Sequence, residues 1–463
     1  MIIWRLFARW FQNVLLSTVL DIRKTPQARG RSINLALSVR GRQALKNVGL
    51  ETHMIKEHGI PMTGRRIHRT DGSTYVIPYD ANTNAHFICC KLLVKSEKYD
   101  SVERYFNHKL IETNLKKGTL TFLKTDTNEE VHVTADLIIG ADGAFSAVRK
   151  AMMKRPFFDF SQKYIEHGYL ELCIPADENG GFQMPANFLH IWPRGEFMMI
   201  ALPNQDCSWT VTLFMPFSKF KSLDTEEKLL AFFEKYFLDS IPLIGRTKLV
   251  EDFFAGAPSP LVTIKCRPYH VEDKALLMGD AAHAIVPFYG QGMNAGFEDC
   301  TLLDELFQKH NDSLPEILNE FSETRWEDTF AVSDLAMYNY IEMRDLVTRP
   351  SYRLRKAMDD FIFWLLPSFW VPLYNSVTFS TMPYSRCIKN REWQDKVRSI
   401  ILLRGDTRNS TIELSIAVFR EREKRHSEEC FFSLSQNTVM LISIVEFRVS
   451  PHSSRLPLIS FGL

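Results

Sequence analysis

The run ALLMGDAAHAIVPFYGQGMNAGFEDC, residues 275–300, carries the side chains best placed for chemistry. An apolar strand brings Asp280 to its carboxyl end, Ala281 and Ala282 leave room for a ligand, and the Gly290-Gln291-Gly292 turn opens a helix at Asn294. A carboxylate so placed accepts hydrogen bonds from a polyol chain, and backbone N–H groups at a helix start favour negative charge. His283 lies in a helix-forming stretch beside two alanines and reads as a structural histidine rather than a base. A second segment, DLIIGADGAFSAVR (136–149), is a buried strand followed by Asp142-Gly143, Ser146 and Arg149. Gly143 permits the turn, while Asp142 and the Arg149 guanidinium suit ribose and pyrophosphate groups.

The elements that must hold these residues follow from periodicity. Helical spacing predicts a helix over 38–48, stopped by Gly49. Residues 65–79 alternate around Asp71-Gly72 and read as a hairpin, and 118–140 repeat that form with strands TLTFLK and VHVTADLIIG. Between 166 and 217, GYLELCIP, FLHIWPRGEFMMIALP and WTVTLFMPF read as an antiparallel sheet. Helices are expected near 225–238 and over 294–345 with a break around 310–315, the strand ALLMG (275–279) lying between them. Strand-helix units flanking an antiparallel insert give an α/β (α+β) architecture, one domain interrupted by another.

Composition narrows the class. With 56 Lys and Arg against 55 Asp and Glu, no global field favours nucleic acid, and a small molecule is the expected partner. Eight cysteines without Cys-x-x-Cys spacing exclude a zinc motif or a disulfide framework, so no metal is assigned and a reducing compartment is expected. The first twenty residues are apolar, with Arg5 and Arg9 and no acid before Asp21, and suit either an interfacial or targeting helix or an ordinary buried helix. The stretch 361–374 is too short to span a bilayer alone.

The segments at 142–149 and 279–294 resemble the Asp-Gly and flavin-binding segments of the flavoprotein aromatic hydroxylases. The runs RGRSINLALSVRGRQALKNVGLE, HGIPMTGRRIH, YVIPYD, HIWPR, FMMIALPN and SDLAMYNYIEMR narrow the match to the kynurenine 3-monooxygenase family over roughly residues 29–398. The resemblance implies FAD and NADPH as cofactors, and O₂ and L-kynurenine as substrates giving 3-hydroxy-L-kynurenine, on the tryptophan route to NAD. The flavin carries the chemistry, so no side chain is assigned as catalytic. Substrate contacts carried over are Arg65, Tyr79, Asn339 and Tyr374, with Glu342, three residues beyond Asn339, meeting the substrate amino group. Cofactor contacts are Ala36, Leu110, Asp142, Arg149, Asp280, Gly292, Met293 and Asn294. The implied layout is a discontinuous Rossmann-like FAD domain (31–60, 80–165, 266–345), a substrate sheet (61–79, 166–265), C-terminal helices (346–400) and a divergent tail (401–463). The implied location is the cytosolic face of the mitochondrial outer membrane. The alternatives are a flavin hydroxylase of another aromatic acid, or a flavin-poor variant without catalysis.

The chain departs from the family in three places. Residues 1–30 hold no Gly-x-Gly-x-x-Gly turn for the FAD pyrophosphate and no acidic residue after a second strand. Phe87-Ile88 passes directly to Cys89-Cys90-Lys91, where the family carries an Arg that reaches the flavin. Residues 400–463 contain no apolar run near the ~20 residues that a membrane span needs. Each is an abrupt loss beside uninterrupted matching, the mark of a splice variant or an imperfect gene model, and weak FAD binding is expected.

Overall fold

A computed structural model describes residues 17–20, 35–79, 85–88 and 102–404. Most of the 1–30 leader, the Cys89-Cys90-Lys91 passage and the tail beyond residue 404 lie outside them. Where the leader is described, the expected helix gives way to a strand: Ser17–Leu20 pairs in parallel with Val102–Tyr105.

The largest sheet among the described residues has seven strands. Its central strands are Phe188–Pro193, Met198–Pro203 and Trp209–Pro216, antiparallel neighbours joined by short turns. The Gly64–His68 strand runs parallel to Phe188–Pro193 and forms a hairpin with Thr74–Pro78, Gly72 taking φ +79 between them. On the other side, Asp159–Ile174 begins seven residues before the expected 166, because its first half pairs with Ser259–Arg267.

Strand parity separates two layers. Along Met198–Pro203 and Trp209–Pro216, the odd-numbered Met199, Ala201, Trp209, Val211, Leu213 and Met215 are buried beneath the helices Glu226–Tyr236 and Arg246–Ala255. The even-numbered Met198 and Phe214 join the opposite cluster with Val332, Ala336 and Tyr340 of the long helix Leu314–Arg344.

The other core gathers the helix Val39–Asn47, the helix Gly292–Lys309 and the parallel strands Ile138–Gly140 and Ala275–Leu277. The break expected at 310–315 falls between Lys309 and Leu314. VHVTADLIIG divides into two strands rather than one: Glu130–Thr134 stays in a meander with Thr119–Lys124, and Ile138–Gly140 leaves for the parallel pair. The Ala135 N–H donates to the Gly118 carbonyl at 2.9 Å and ends the meander there. The architecture is the α/β (α+β) class expected.

On the sheet's helix-covered face, His68 Nδ1 lies 2.7 Å from Asp239 Oδ2, and its Nε2 lies 2.8 Å from His190 Nδ1. His190 Nε2 in turn reaches the Pro185 carbonyl at 3.0 Å, and Trp192 stacks on His68 while donating to Asp239. Acceptors at both ends require a hydrogen on each outer ring nitrogen, His68 Nδ1 and His190 Nε2. For Asp239, burial alone would raise its pKa, but the bonds from His68 and Trp192 outweigh burial and lower it. Burial, reinforced by His68 and Arg66 against the Pro185 bond and Asp239, pushes His190 down to about 4.

A histidine with a folded pKa below the unfolded value near 6.5 takes up its proton more readily in the unfolded chain. Its stabilising contribution is complete above about pH 6.5 and is lost as pH falls toward about 4, at about 1.4 kcal/mol per pH unit. Denaturant unfolding at pH 7, 6 and 5 should show this loss, and His190→Gln, which keeps a donor for Pro185, should show a shallower one. Equal pH dependence in both proteins would remove His190 as its source.

Candidate active site

A cavity with about 950 Å³ of free space, part of it open to solvent, lies between the sheet and the Gly292–Lys309 segment. Its sheet wall is Met198, Ile200, Leu202, Thr210, Thr212 and Phe214, the even-numbered parity of two adjacent strands. At one end stand Arg65, Tyr79, Asn339 and Tyr374; at another, Ala36, Leu37, Ser38, Gly290 and Gln291.

Arg65 is 4 % exposed. Its Nη1 donates to Glu342 Oε1 at 3.2 Å, and its guanidinium lies 4.2 Å from the Tyr374 ring centre. Glu342 Oε1 also accepts from the Tyr352 hydroxyl at 2.9 Å. Arg65 Nε is buried without a hydrogen-bond partner. Tyr374 is stacked between Tyr79 at 5.4 Å and Tyr289 at 5.6 Å. Burial, with Tyr374 adding to it against Arg65, holds the Tyr79 hydroxyl well above its ordinary pKa. This end is a dry cation set among aromatic faces.

Near the Gly290 end but outside the cavity's lining, Gly279 takes φ 57 and ψ −143, a conformation open to glycine, and no atom lies where its Cβ would meet a neighbour within 4 Å. Asp280 follows it. Solvent reaches the Asp280 side chain, yet protein crowds it, and that desolvation raises its pKa with His283 opposing and Asp299 reinforcing. Among the described residues its carboxylate makes no hydrogen bond or ion pair. Gly290, at φ +65, sits against Ala36, and the N–H groups of the first turn of Gly292–Lys309 have no acceptor within the helix. A free carboxylate, an open glycine edge and a helix N-terminus on one wall fit a flavin and its ribityl chain.

The turn carrying Asp280 is held from behind. Asp299, fully buried, accepts from the Gly279 N–H at 2.8 Å, from His283 Nε2 at 2.7 Å and from Arg325 Nε at 2.8 Å. Burial alone would raise its pKa, but His283 and Arg325 outweigh it and hold the carboxyl well below the usual range. Arg325 also pairs with Glu298, which pairs in turn with buried Arg40.

The expected contacts divide accordingly. Arg65, Tyr79, Asn339, Tyr374 and Ala36 line the cavity; Glu342 stands behind Arg65. Asn339 donates its amide to the Phe288 carbonyl at 2.7 Å and so anchors the Pro287–Tyr289 turn. Asn294 links Ala36 and Ser38 to Gly290 through its side chain, positioning the wall rather than facing it. Asp142 accepts from the Ala147 and Val148 N–H groups and caps a helix. Arg149, 2 % exposed, donates to the Ala281 and Ala144 carbonyls; its Nη atoms are committed to tying the 142 turn to the 280 turn, not to a pyrophosphate. Leu110 and Met293 pack against the core, and Gly292 opens its helix, where a Cβ would lie 4.0 Å from Asp280 Oδ1.

Sequence reading passed over Tyr289, Asp299 and Arg325, and the even-numbered sheet wall. Strand parity was a signal for the wall; nothing local marks Asp299 and Arg325 as partners.

A family model described as FAD binding domain matches residues 19–327. The chain is 59% identical over 389 residues to the kynurenine 3-monooxygenase of Anopheles gambiae, covering 82% of this chain and 80% of that protein. It is 47% identical over 397 residues to that of Sus scrofa, covering 84% and 83%. Among solved structures, a tetrameric 2-methyl-3-hydroxypyridine-5-carboxylic acid oxygenase superposes with TM-score 0.60 at 18% identity over 76% of this chain and 91% of its own. A probable FAD-dependent monooxygenase from Pseudomonas aeruginosa superposes with TM-score 0.59 at 15% identity, over 74% and 93%. At these identities the two structures show the shared fold alone.

Removing one partner of a buried ion network leaves the others uncompensated, at about 3–5 kcal/mol. Asp299→Ala should therefore lower the stability measured by denaturant unfolding by about that amount, whereas Glu305→Ala on the same helix should have little effect. Comparable losses in the two variants would show that the Asp299 clamp is not what holds this region.

Proposed function

The chain belongs to the kynurenine 3-monooxygenase family, and on that footing we propose that it hydroxylates L-kynurenine to 3-hydroxy-L-kynurenine, using FAD, NADPH and O₂. The observation that carries the reading is one cavity that joins the Ala36–Gly290 wall to the buried Arg65–Glu342 pair. Kynurenine is a zwitterionic amino acid, and a buried Arg offers the opposite charge to its carboxylate. Arg65 takes the carboxylate through donors that include its free Nε, Glu342 holds Arg65 from behind, and the stacked tyrosines meet the aromatic ring. Burial keeps the Tyr79 hydroxyl protonated, so it donates rather than repels a carboxylate.

FAD, when bound, supplies the activation of oxygen after reduction by NADPH. The protein's own residues bind, orient and exclude water. Asp280 accepts from ribityl hydroxyls, and the turn at Gly290–Gly292 presents N–H groups to the ring edge. The sheet wall of Met198, Ile200, Leu202 and Phe214 keeps water from the reacting ring. The substrate's aniline nitrogen already enriches the ring carbon ortho to it, so no side-chain base is required. Arg149 and Asn294 act by positioning. The resemblance also supports attachment to the mitochondrial outer membrane; among the described residues no helix is long and apolar enough to cross one.

Two substitutions test the reading. Arg65→Ala should weaken kynurenine binding by about 2–5 kcal/mol, with Arg65→Lys intermediate and NADPH affinity unchanged. The assay is 3-hydroxykynurenine formation with NADPH and oxygen, run beside a panel of phenols, and preferential turnover of a phenol would replace kynurenine as the substrate. Asp280→Ala should raise the FAD dissociation constant about tenfold or more, the loss of a hydrogen-bonded charge, as read by flavin fluorescence quenching. Unchanged FAD affinity would make Asp280 a structural residue.

A further inference from the structure

The helix Glu51–His58 carries a side-chain group that the cavity does not use. His53 and Glu57 are one turn apart on it, and His53 Nδ1 lies 2.5 Å from Glu57 Oε1. His58 follows, its ring 5.6 Å from that of His53 and at 88° to it. One donor atom from each of the three residues lies within 4.8 Å of the others. We propose that His53, Glu57 and His58 form a binding site for a late first-row divalent ion such as Zn²⁺, Ni²⁺ or Cu²⁺, with water completing the coordination.

Ligand atoms about 2.0–2.1 Å from a tetrahedral ion are about 3.4 Å apart. Glu57 is exposed and both histidines are half-buried, so side-chain rotation brings the three donors from 4.8 Å to that spacing without moving the backbone. Two imidazoles and one carboxylate select borderline ions over Mg²⁺ or Ca²⁺, which seek oxygen alone. Glu57 and His58 also sit on the helix's last turn, where unpaired carbonyls favour positive charge. Lys56, on the same turn, opposes that field but extends into solvent. Ligation requires unprotonated imidazoles, so the ion is released on acidification. All three ligands come from one helix, so the ion fixes that helix end and takes no part in the cavity.

The test is calorimetric titration of the FAD-loaded full chain with Zn²⁺, with Mg²⁺ as control, in the wild type and in His53→Ala, Glu57→Gln and His58→Ala. The wild type should bind one equivalent that Mg²⁺ does not mimic. Each histidine variant should bind it more than tenfold more weakly, with flavin content unchanged. Electron paramagnetic resonance of the wild type with one equivalent of Cu²⁺ should show coupling to two imidazole nitrogens. Binding that persists equally in all three variants would place the ion on thiols and overturn the assignment, as would a copper spectrum without imidazole coupling or the absence of a one-equivalent phase.

Discussion

The region beneath the cofactor wall depends on a carboxylate with no access to water. Asp299 accepts three hydrogen bonds, from a backbone N–H of the Gly279 turn, from His283 and from Arg325. A buried charge is tolerated only when its lone pairs are filled and its sign is balanced, and here one carboxylate does both for three elements. The Gly279 turn cannot relax without exposing that charge. Asp280, its neighbour, is thereby left free of internal partners and able to accept from a ligand. The same clamp reaches Glu298 and Arg40, which ties the Val39–Asn47 helix to the long helix Leu314–Arg344.

Close approach completes the wall. A Cβ on Gly41 would come within 2.5 Å of Asn294 Oδ1, so the Val39–Asn47 helix can lie against the Gly292–Lys309 helix only because that position is glycine. Asn294 then uses all of its amide on Ser38, Ala36 and Gly290, closing the gap between a strand end and a helix start. The substrate side is built differently. There a single sheet supplies a dry wall from alternate residues while its other face buries Trp209, Leu213 and Met215 against helices. Changing the register by one residue would exchange the two faces and destroy both.

At the Arg65 end of the cavity a charged side chain is surrounded by protein, which raises the cost of leaving it unpaired and therefore the gain from a complementary ligand. Arg65 is partly neutralised by Glu342, but its Nε stays unpaired, and Tyr79, Tyr374 and Tyr289 stack beside it. Arg149 differs in its Nη groups, which are satisfied by carbonyls so that it serves as a strut, although its Nε is unpaired as in Arg65.

What the sequence determined by itself was local. The period of the apolar residues in 39–47, 292–309 and 314–344, the glycine at 72 and the apolar strand leading to Asp280 each specify a backbone conformation from neighbours a few residues away. That was enough for the element order, the α/β class and the side chains able to meet a flavin or an amino acid. Tertiary structure alone decided which of those side chains stay available. Arg65 and Glu342 are 277 positions apart, Arg149 and Ala281 132 apart, and Asp299 and Arg325 26 apart on different helices. The same holds for VHVTADLIIG, whose uniform alternation conceals a change of sheet at Ala135. Periodicity records which face of an element is buried, because burial repeats along the chain; it carries no record of the partner, because pairing is set only when distant elements meet.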